Sequence, residues 1–358
     1  MIKLSFYFVV AALTGLNVAA LGAADDTAAA IAPWRCLVSY EEDVGEDASR
    51  TTLYAVDLTR EDATALAAFD DLHVWGAAFD AAGEHVVVAA TVSRNEEEVV
   101  KFYLLPAAGG EAEILHEEGL APTQYDGPGI FIRYDGLIYV LPYVDVVRGR
   151  DDVFYFGIQG GEVAPAGDGW LVHWTRFLRY DPATGDVESY HQEPCHAFLE
   201  RNAEGEAPFY YTQDPMGYDE RLAFGRLDAD AAEMITLGYR PRVDNLSCPF
   251  GPYEAVADEA GPLYYVAVSR DETDPVTSYA YVANPQALGD YREVVVLGAA
   301  PSAIRYSPSR RAVVSLPTDR AAPTLVIQGL AGEVVGEVVL PAAGTEPDPF
   351  AYDLLWVE

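Results

Sequence analysis

Residues 73 to 115 constrain the fold more than any other stretch of this chain. They begin with His73-Val74-Trp75 and reach a turn at Phe79-Asp80-Ala81-Ala82-Gly83. An apolar run from His85 to Thr91 follows, then a polar loop from Ser93 to Glu98. A second run, Val99 to Leu105, leads to Ala107-Ala108-Gly109-Gly110, and Glu113 to Leu115 closes the module. Four short strands in about 45 residues make the unit of a β-propeller blade.

Weaker copies flank this module. Trp34 to Tyr40, Thr51 to Leu58 and Ala63 to Phe69 read as strands of a first blade, with an acidic turn from Glu41 to Asp47. Gly129 to Arg133, Leu137 to Pro142 and Val153 to Ile158 suggest a third. Trp170 to Trp174, Phe177 to Tyr180 and Val187 to Tyr190 suggest a fourth, its turn marked by Asp181-Pro182-Ala183-Thr184-Gly185. A fifth starts at Cys195, a sixth at Glu254 and a seventh at Ala303. One strand, Ala351 to Val357, is left over, and pairing it with the first blade removes the unpaired edges of an open ring. The expected fold is therefore all-β. It is a single propeller over residues 33–358, with seven four-stranded blades (six or eight as alternatives), closed by the C-terminal strand.

The first 24 residues read as a cleavable signal peptide. Lys3 supplies the positive start, Leu4 to Leu21 the apolar stretch, and Gly22-Ala23-Ala24 a small-residue cleavage site. Residues 25–32 are an Ala-rich, flexible lead-in. Export implies a periplasmic or extracellular location, with no membrane insertion after cleavage. The formal charge is -35, and Lys101 is the only lysine besides Lys3, against 20 arginines. Such an excess of carboxylates argues against nucleic acid as a partner. It suits a protein working in strong salt, where screening removes self-repulsion. The acidic loops lack the regular spacing of a calcium site and read as a solvated surface.

Three cysteines, Cys36, Cys195 and Cys248, allow one bridge and three pairings. Cys195 and Cys248 lie near the starts of successive blades, so that pair is the candidate disulfide. No Cys-x-x-Cys, Gly-x-Ser-x-Gly, phosphate-binding or dinucleotide motif is present. The cluster His191-Gln192-Glu193-Pro194-Cys195-His196 is dense in donors, but neighbours on an extended chain point apart, and no metal is expected there.

Two of the modules resemble a known family. Phe79-Asp80-Ala81-Ala82-Gly83-Glu84-His85-Val86-Val87-Val88 and Tyr306-Ser307-Pro308-Ser309-Arg310-Arg311-Ala312-Val313-Val314 are similar to the turn-and-strand signature of WD40-like repeats of the TolB type. Phe102 to Glu111 and Leu325 to Glu333 resemble the strand and Gly-containing turn that follow it. The resemblance implies a propeller. It leaves function open, because such repeats occur in periplasmic interaction proteins and in propellers attached to peptidases.

In a propeller the innermost strand of each blade lines the channel, and ligands sit at one mouth. Blade openings here carry Trp34 and Arg35, His73 and Trp75, Tyr125 and Asp126, His173 and Trp174, His196, Tyr253 and Glu254, and Arg305. Aromatic walls with a few polar groups suit a small-molecule pocket. They also suit packing between blades. With no catalytic motif and no cofactor signature, the expected function is a non-enzymatic binding or protein-interaction scaffold for an unidentified protein or small molecule. The alternative is a propeller enzyme of oxidoreductase-subunit or lactonase type, with its site at the channel mouth.

Overall fold

The computed structural model describes residues from 34 to 358 with interruptions. It gives side chains for most of 34–119, 144–159, 175–190, 301–341 and 351–358, and the backbone of the strands alone between 191 and 300. The described chain is almost entirely β. Its first strands are β1 (Arg35–Gly45), β2 (Ala48–Asp57) and β3 (Asp62–Asp70). The 73–115 module is β4 (His73–Phe79), β5 (His85–Arg94), β6 (Glu97–Pro106) and β7 (Glu113–Leu120). A short hairpin, β8 (Ile132–Tyr134) and β9 (Leu137–Tyr139), precedes β10 (Val144–Arg148), β11 (Phe154–Val163), β12 (Leu171–Asp181) and β13 (Asp186–Glu193). Then come β14 (Ala197–Arg201), β15 (Pro208–Thr212), β16 (Arg221–Arg226) and β17 (Met234–Tyr239). Next are β18 (Glu254–Val256), β19 (Tyr264–Arg270), β20 (Ser278–Ala283) and β21 (Tyr291–Gly298). The last are β22 (Pro301–Ser307), β23 (Ala312–Pro317), β24 (Thr324–Gly329), β25 (Val334–Val339) and β26 (Tyr352–Val357).

These strands form six four-stranded sheets and one two-stranded hairpin. Five of the six take their strands in chain order, and the remaining one has the order β26-β1-β2-β3. All pairings are antiparallel, and β26 lies against β1 with Tyr352 opposite Tyr40 and Val357 opposite Cys36. The C-terminal strand thus joins the first sheet, as its leftover position in the sequence leads one to expect. The fold is propeller-like.

The sequence reading of blades three and four is corrected. Trp170 lies outside the described residues, Leu171 to Trp174 and Phe177 to Tyr180 belong to the single strand β12, and the described part of the 129–142 region forms the two-stranded hairpin β8-β9. Thr175 and Arg176 break the apolar run and resemble a turn in sequence, yet both sit in mid-strand. Thr175 is fully buried, and Arg176 Nη2 donates to Glu118 Oε2 of β7 at 2.6 Å. Where seven blades were expected, the described strands make six four-stranded sheets. Of the acidic stretch expected to be a turn, Glu41 to Gly45 continue β1, and Glu46 and Asp47 lie outside the described residues.

Apolar side chains fill the spaces between sheets. Val86 to Ala90 are all buried, since β5 is covered on both faces, which is why it reads as a continuous apolar run rather than an alternating one. Phe102 and Phe156 stack between neighbouring sheets with ring centroids 3.9 Å apart. A second core cluster joins β1 and β26 to the β22–β25 sheet through Val38, Leu354, Val314 and Leu325. Each buried side chain of this size contributes roughly 1.5–3 kcal/mol.

Side-chain contacts fix the direction of the leading strands. The last residue of β4, Phe79, meets Trp356 near the end of β26, with centroids 5.4 Å apart. The first residue of β4, His73, meets Glu41 beside the start of β26. At the end of β10, Arg148 Nη1 donates to Phe79 O. At the end of β22, Ser307 Oγ donates to Glu358 O. These strands all run the same way, so the fold has a leading end, where they start, and a trailing end, where they stop.

Candidate functional site

The leading end of the 73–115 sheet holds the most chemically organised group of described side chains. His73 opens β4 and lies opposite Thr91 of β5. The register then shifts between Val74 and Gly76, so Trp75 occupies a β-bulge, a device that re-aims a side chain. Its indole Nε1 donates to Thr91 Oγ1 at 2.9 Å, and its ring meets the His73 imidazole edge-on at 4.3 Å. On the other side of His73, Nδ1 lies 2.7 Å from Glu41 Oε2. The Glu41 carboxyl is held below its ordinary range, first by the His73 hydrogen bond, against the opposing effect of burial. An ionised carboxylate only accepts, so Nδ1 carries the proton in this hydrogen bond. Among the described residues Nε2 has no hydrogen-bond partner. His73 and Glu41 side chains are 44% and 38% exposed, so solvent reaches both.

A second carboxylate closes this corner. A Cβ on Gly76 would fall 2.7 Å from Asp145 Oδ1 and 3.1 Å from Val146 N, so glycine is what allows β10 to approach β4 so closely. Asp145 therefore packs against Gly76, the residue after Trp75, and its Oδ1 accepts from Val146 N at 2.7 Å. Further out along the same row, Val100 of β6 lies opposite Thr91, and Glu118 of β7 lies opposite Val100. There Glu118 is engaged by Arg176.

The candidates named from sequence do not assemble into one site. His73 and Trp75 lie together at the leading end. Trp34 and Arg35 lie at the trailing end, where Arg35 opens β1, the second strand of its sheet, because β26 takes the first place. There Arg35 packs over Phe79, its Cζ 4.4 Å from the ring centroid, and its Nε lies 3.7 Å from Glu358 Oε2. Trp34 lies beneath Arg310. Arg305 is partway along β22, with Nη1 donating to Ile304 O at 3.2 Å. His173, Trp174 and Glu254 belong to β12 and β18, but their side chains lie outside the described residues. Tyr125, Asp126, His196 and Tyr253 lie outside the described residues altogether, as do Cys195 and Cys248. Cys36 is a free thiol, and full burial pushes its pKa up.

Glu41 was missed by sequence reasoning. It stands in an acidic stretch that resembles a solvated turn, and its partner is 32 residues away. Among the described residues no group of three or more His, Cys, Asp or Glu side chains is placed to hold a metal ion. No helix among them is long and apolar enough to cross a membrane.

No protein-family model matches the chain, and no curated protein matches it. Solved structures do. One is an oligogalacturonate lyase in complex with manganese, 15% identical, with 85% of this chain and 77% of that chain covered and a TM-score of 0.43. Another is a Bacteroides uniformis protein assigned by name to the 6-phosphogluconolactonases, 11% identical, with 90% and 99% covered and a TM-score of 0.45. A third is the acylaminoacyl peptidase of Pyrococcus horikoshii, 11% identical, with 85% of this chain but 46% of that chain covered and a TM-score of 0.42.

Proposed function

We propose that the six sheets are the blades of one closed propeller, and that the chain is an exported binding protein with a small-molecule site at the leading mouth. Closure is supported by contacts between leading strands: β26 with β4, β4 with β10, β10 with β14, β14 with β18, β18 with β22, and β22 with β26. Export rests on the signal-like first 24 residues, and places the protein in the periplasm or outside the cell. The TolB-type affiliation rests on the Phe79–Val88 and Tyr306–Val314 segments.

One observation carries the site. His73 is clamped between Glu41 and Trp75, yet it keeps an unengaged Nε2 at a half-exposed position. An imidazole held on two sides while one ring nitrogen stays unengaged is arranged to meet a ligand. Native mass spectrometry of the mature protein, isolated gently from its own host, tests the reading. We expect a stoichiometric small molecule that is lost from His73→Ala. A molecule retained by that variant, or a bound protein chain in its place, would contradict the site.

The same geometry favours a second reading, an enzyme using this mouth. A carboxylate that orients a histidine is also the arrangement that prepares a general base. Turnover abolished by His73→Ala and slowed by Glu41→Gln would establish it.

A further inference from the structure

Away from the mouth, the outer strands of the sheets differ in how they meet solvent. Among the described residues, β3 exposes Asp62 and Asp70, β7 exposes Glu113 and Glu117, and β13 exposes Asp186 and Glu188. Such charges keep a sheet edge from pairing with another chain. β25, the outer strand of the β22–β25 sheet, instead exposes Val334, Val335 and Val339, at 54%, 55% and 65%. Its single carboxylate, Glu337, is matched by Arg320, whose Nη2 donates to Oε1 at 2.8 Å. The backbone of this edge is open as well. Leu340 N donates to Pro323 O, so the hydrogen-bonded pairs with β24 fall at Leu340, Val338 and Gly336. Glu337 and Val339 alternate with these and carry their N–H and C=O groups away from β24.

We propose that a second copy of this chain pairs with β25 edge to edge, about a two-fold axis at Glu337. A two-fold interface has to be self-complementary. This strand meets that condition, because valines stand at 335 and 339, two residues to either side of Glu337. Antiparallel pairing about that point sets Val335 opposite the partner's Val339. Each central carboxylate brings its own Arg320, so the middle of the interface is neutral. Elsewhere the two chains repel, at a formal -35 each, so association strengthens as salt screens them.

Sedimentation velocity on the mature protein, from dilute buffer into the molar salt range, tests this. A monomer is expected at low salt, and at high salt a species that stops at the dimer. Val339→Lys places a charge on the edge and should weaken association about ten-fold or more. Ile114→Lys makes the same charge change at an exposed apolar position on β7 and should leave the dimer intact. Both side chains are exposed, so urea unfolding of either variant is expected to match the parent. Hydrogen exchange supplies the second readout: the amides of Glu337 and Val339 should slow in the dimer and exchange freely in the monomer. A monomer at every salt and protein concentration overturns the proposal. So does a dimer undiminished by Val339→Lys, growth past the dimer without a plateau, or exchange at Glu337 and Val339 that dimerisation leaves unchanged.

Discussion

Glu61 is one of three non-glycine residues with positive φ among the described residues. In Asp181-Pro182-Ala183-Thr184-Gly185, the Asp181 carboxylate accepts from Ala183 N and Gly185 adopts φ +77°. In Asp57-Leu58-Thr59-Arg60-Glu61, Asp57 Oδ1 accepts from Thr59 N and Arg60 N, and the fifth residue again has positive φ, +57°, but is a glutamate. An L-residue there costs about 1–2 kcal/mol, offset partly by the extra freedom glycine gives the unfolded chain. Glu61→Gly is therefore expected to stabilise the fold by about 0.5–1 kcal/mol, measured by urea unfolding. Glu41 makes a prediction about pH. Its folded pKa lies below the unfolded value, so its contribution is complete above the ordinary carboxylate pKa and is lost as pH falls through the lowered one. Unfolding measured across the acid range should show a shallower decline for Glu41→Gln than for the parent. Superimposable acid limbs would rule out a stabilising Glu41–His73 bond.

Among the elements, β4 is where packing and site meet. Its bulge at Trp75 and its glycine at 76 bring β10 close and turn the indole toward Thr91. Gly76→Ala puts a methyl on Asp145 and on the Val146 backbone, so overpacking should cost about 1–3 kcal/mol, measured by the same urea unfolding. The strands and turns of this module were legible in sequence because each has a local cause. Asp80 accepts from Glu84 N at 2.7 Å and from His85 Nδ1 at 3.0 Å, and Gly83 adopts φ +68°, within seven residues of sequence. The pairing of β26 with β1 was legible from strand counting. The split of β12 into two strands was not avoidable by pattern, because Thr175 and Arg176 have their reasons elsewhere. One is buried against the sheet face, and the other is bonded to Glu118, 58 residues away. The site was half legible for the same reason. His73 and Trp75 stand at a blade opening in sequence, but Glu41 joins them only through tertiary contact. Arg35 stands at the equivalent place in the first blade, yet it lies at the far end, because β26 displaces β1 from the leading position and runs against it.

For the whole molecule, the net charge and the proposed ring closure set the remaining expectations. A charge of -35 destabilises the compact state through self-repulsion in dilute buffer. The melting temperature should rise with added salt into the molar range, and a flat response would sink the idea of salt adaptation. The central structural claim is that β26 closes the ring, seated between β1 and the neighbouring β22 sheet. Ser307 Oγ bonds Glu358 O at its end, and Tyr352 hydroxyl donates to Pro341 O at its start. Val38, Leu354 and Val314 pack across the seam. Native-state hydrogen exchange at the amides of Leu354 and Trp356 tests this most directly. If β26 closes the ring, these amides exchange only through global unfolding, with the same free energy as the best-protected amides of β5. If they exchange through local fraying, well below the global value, the ring is not held shut by its last strand, and the account of a closed propeller is wrong.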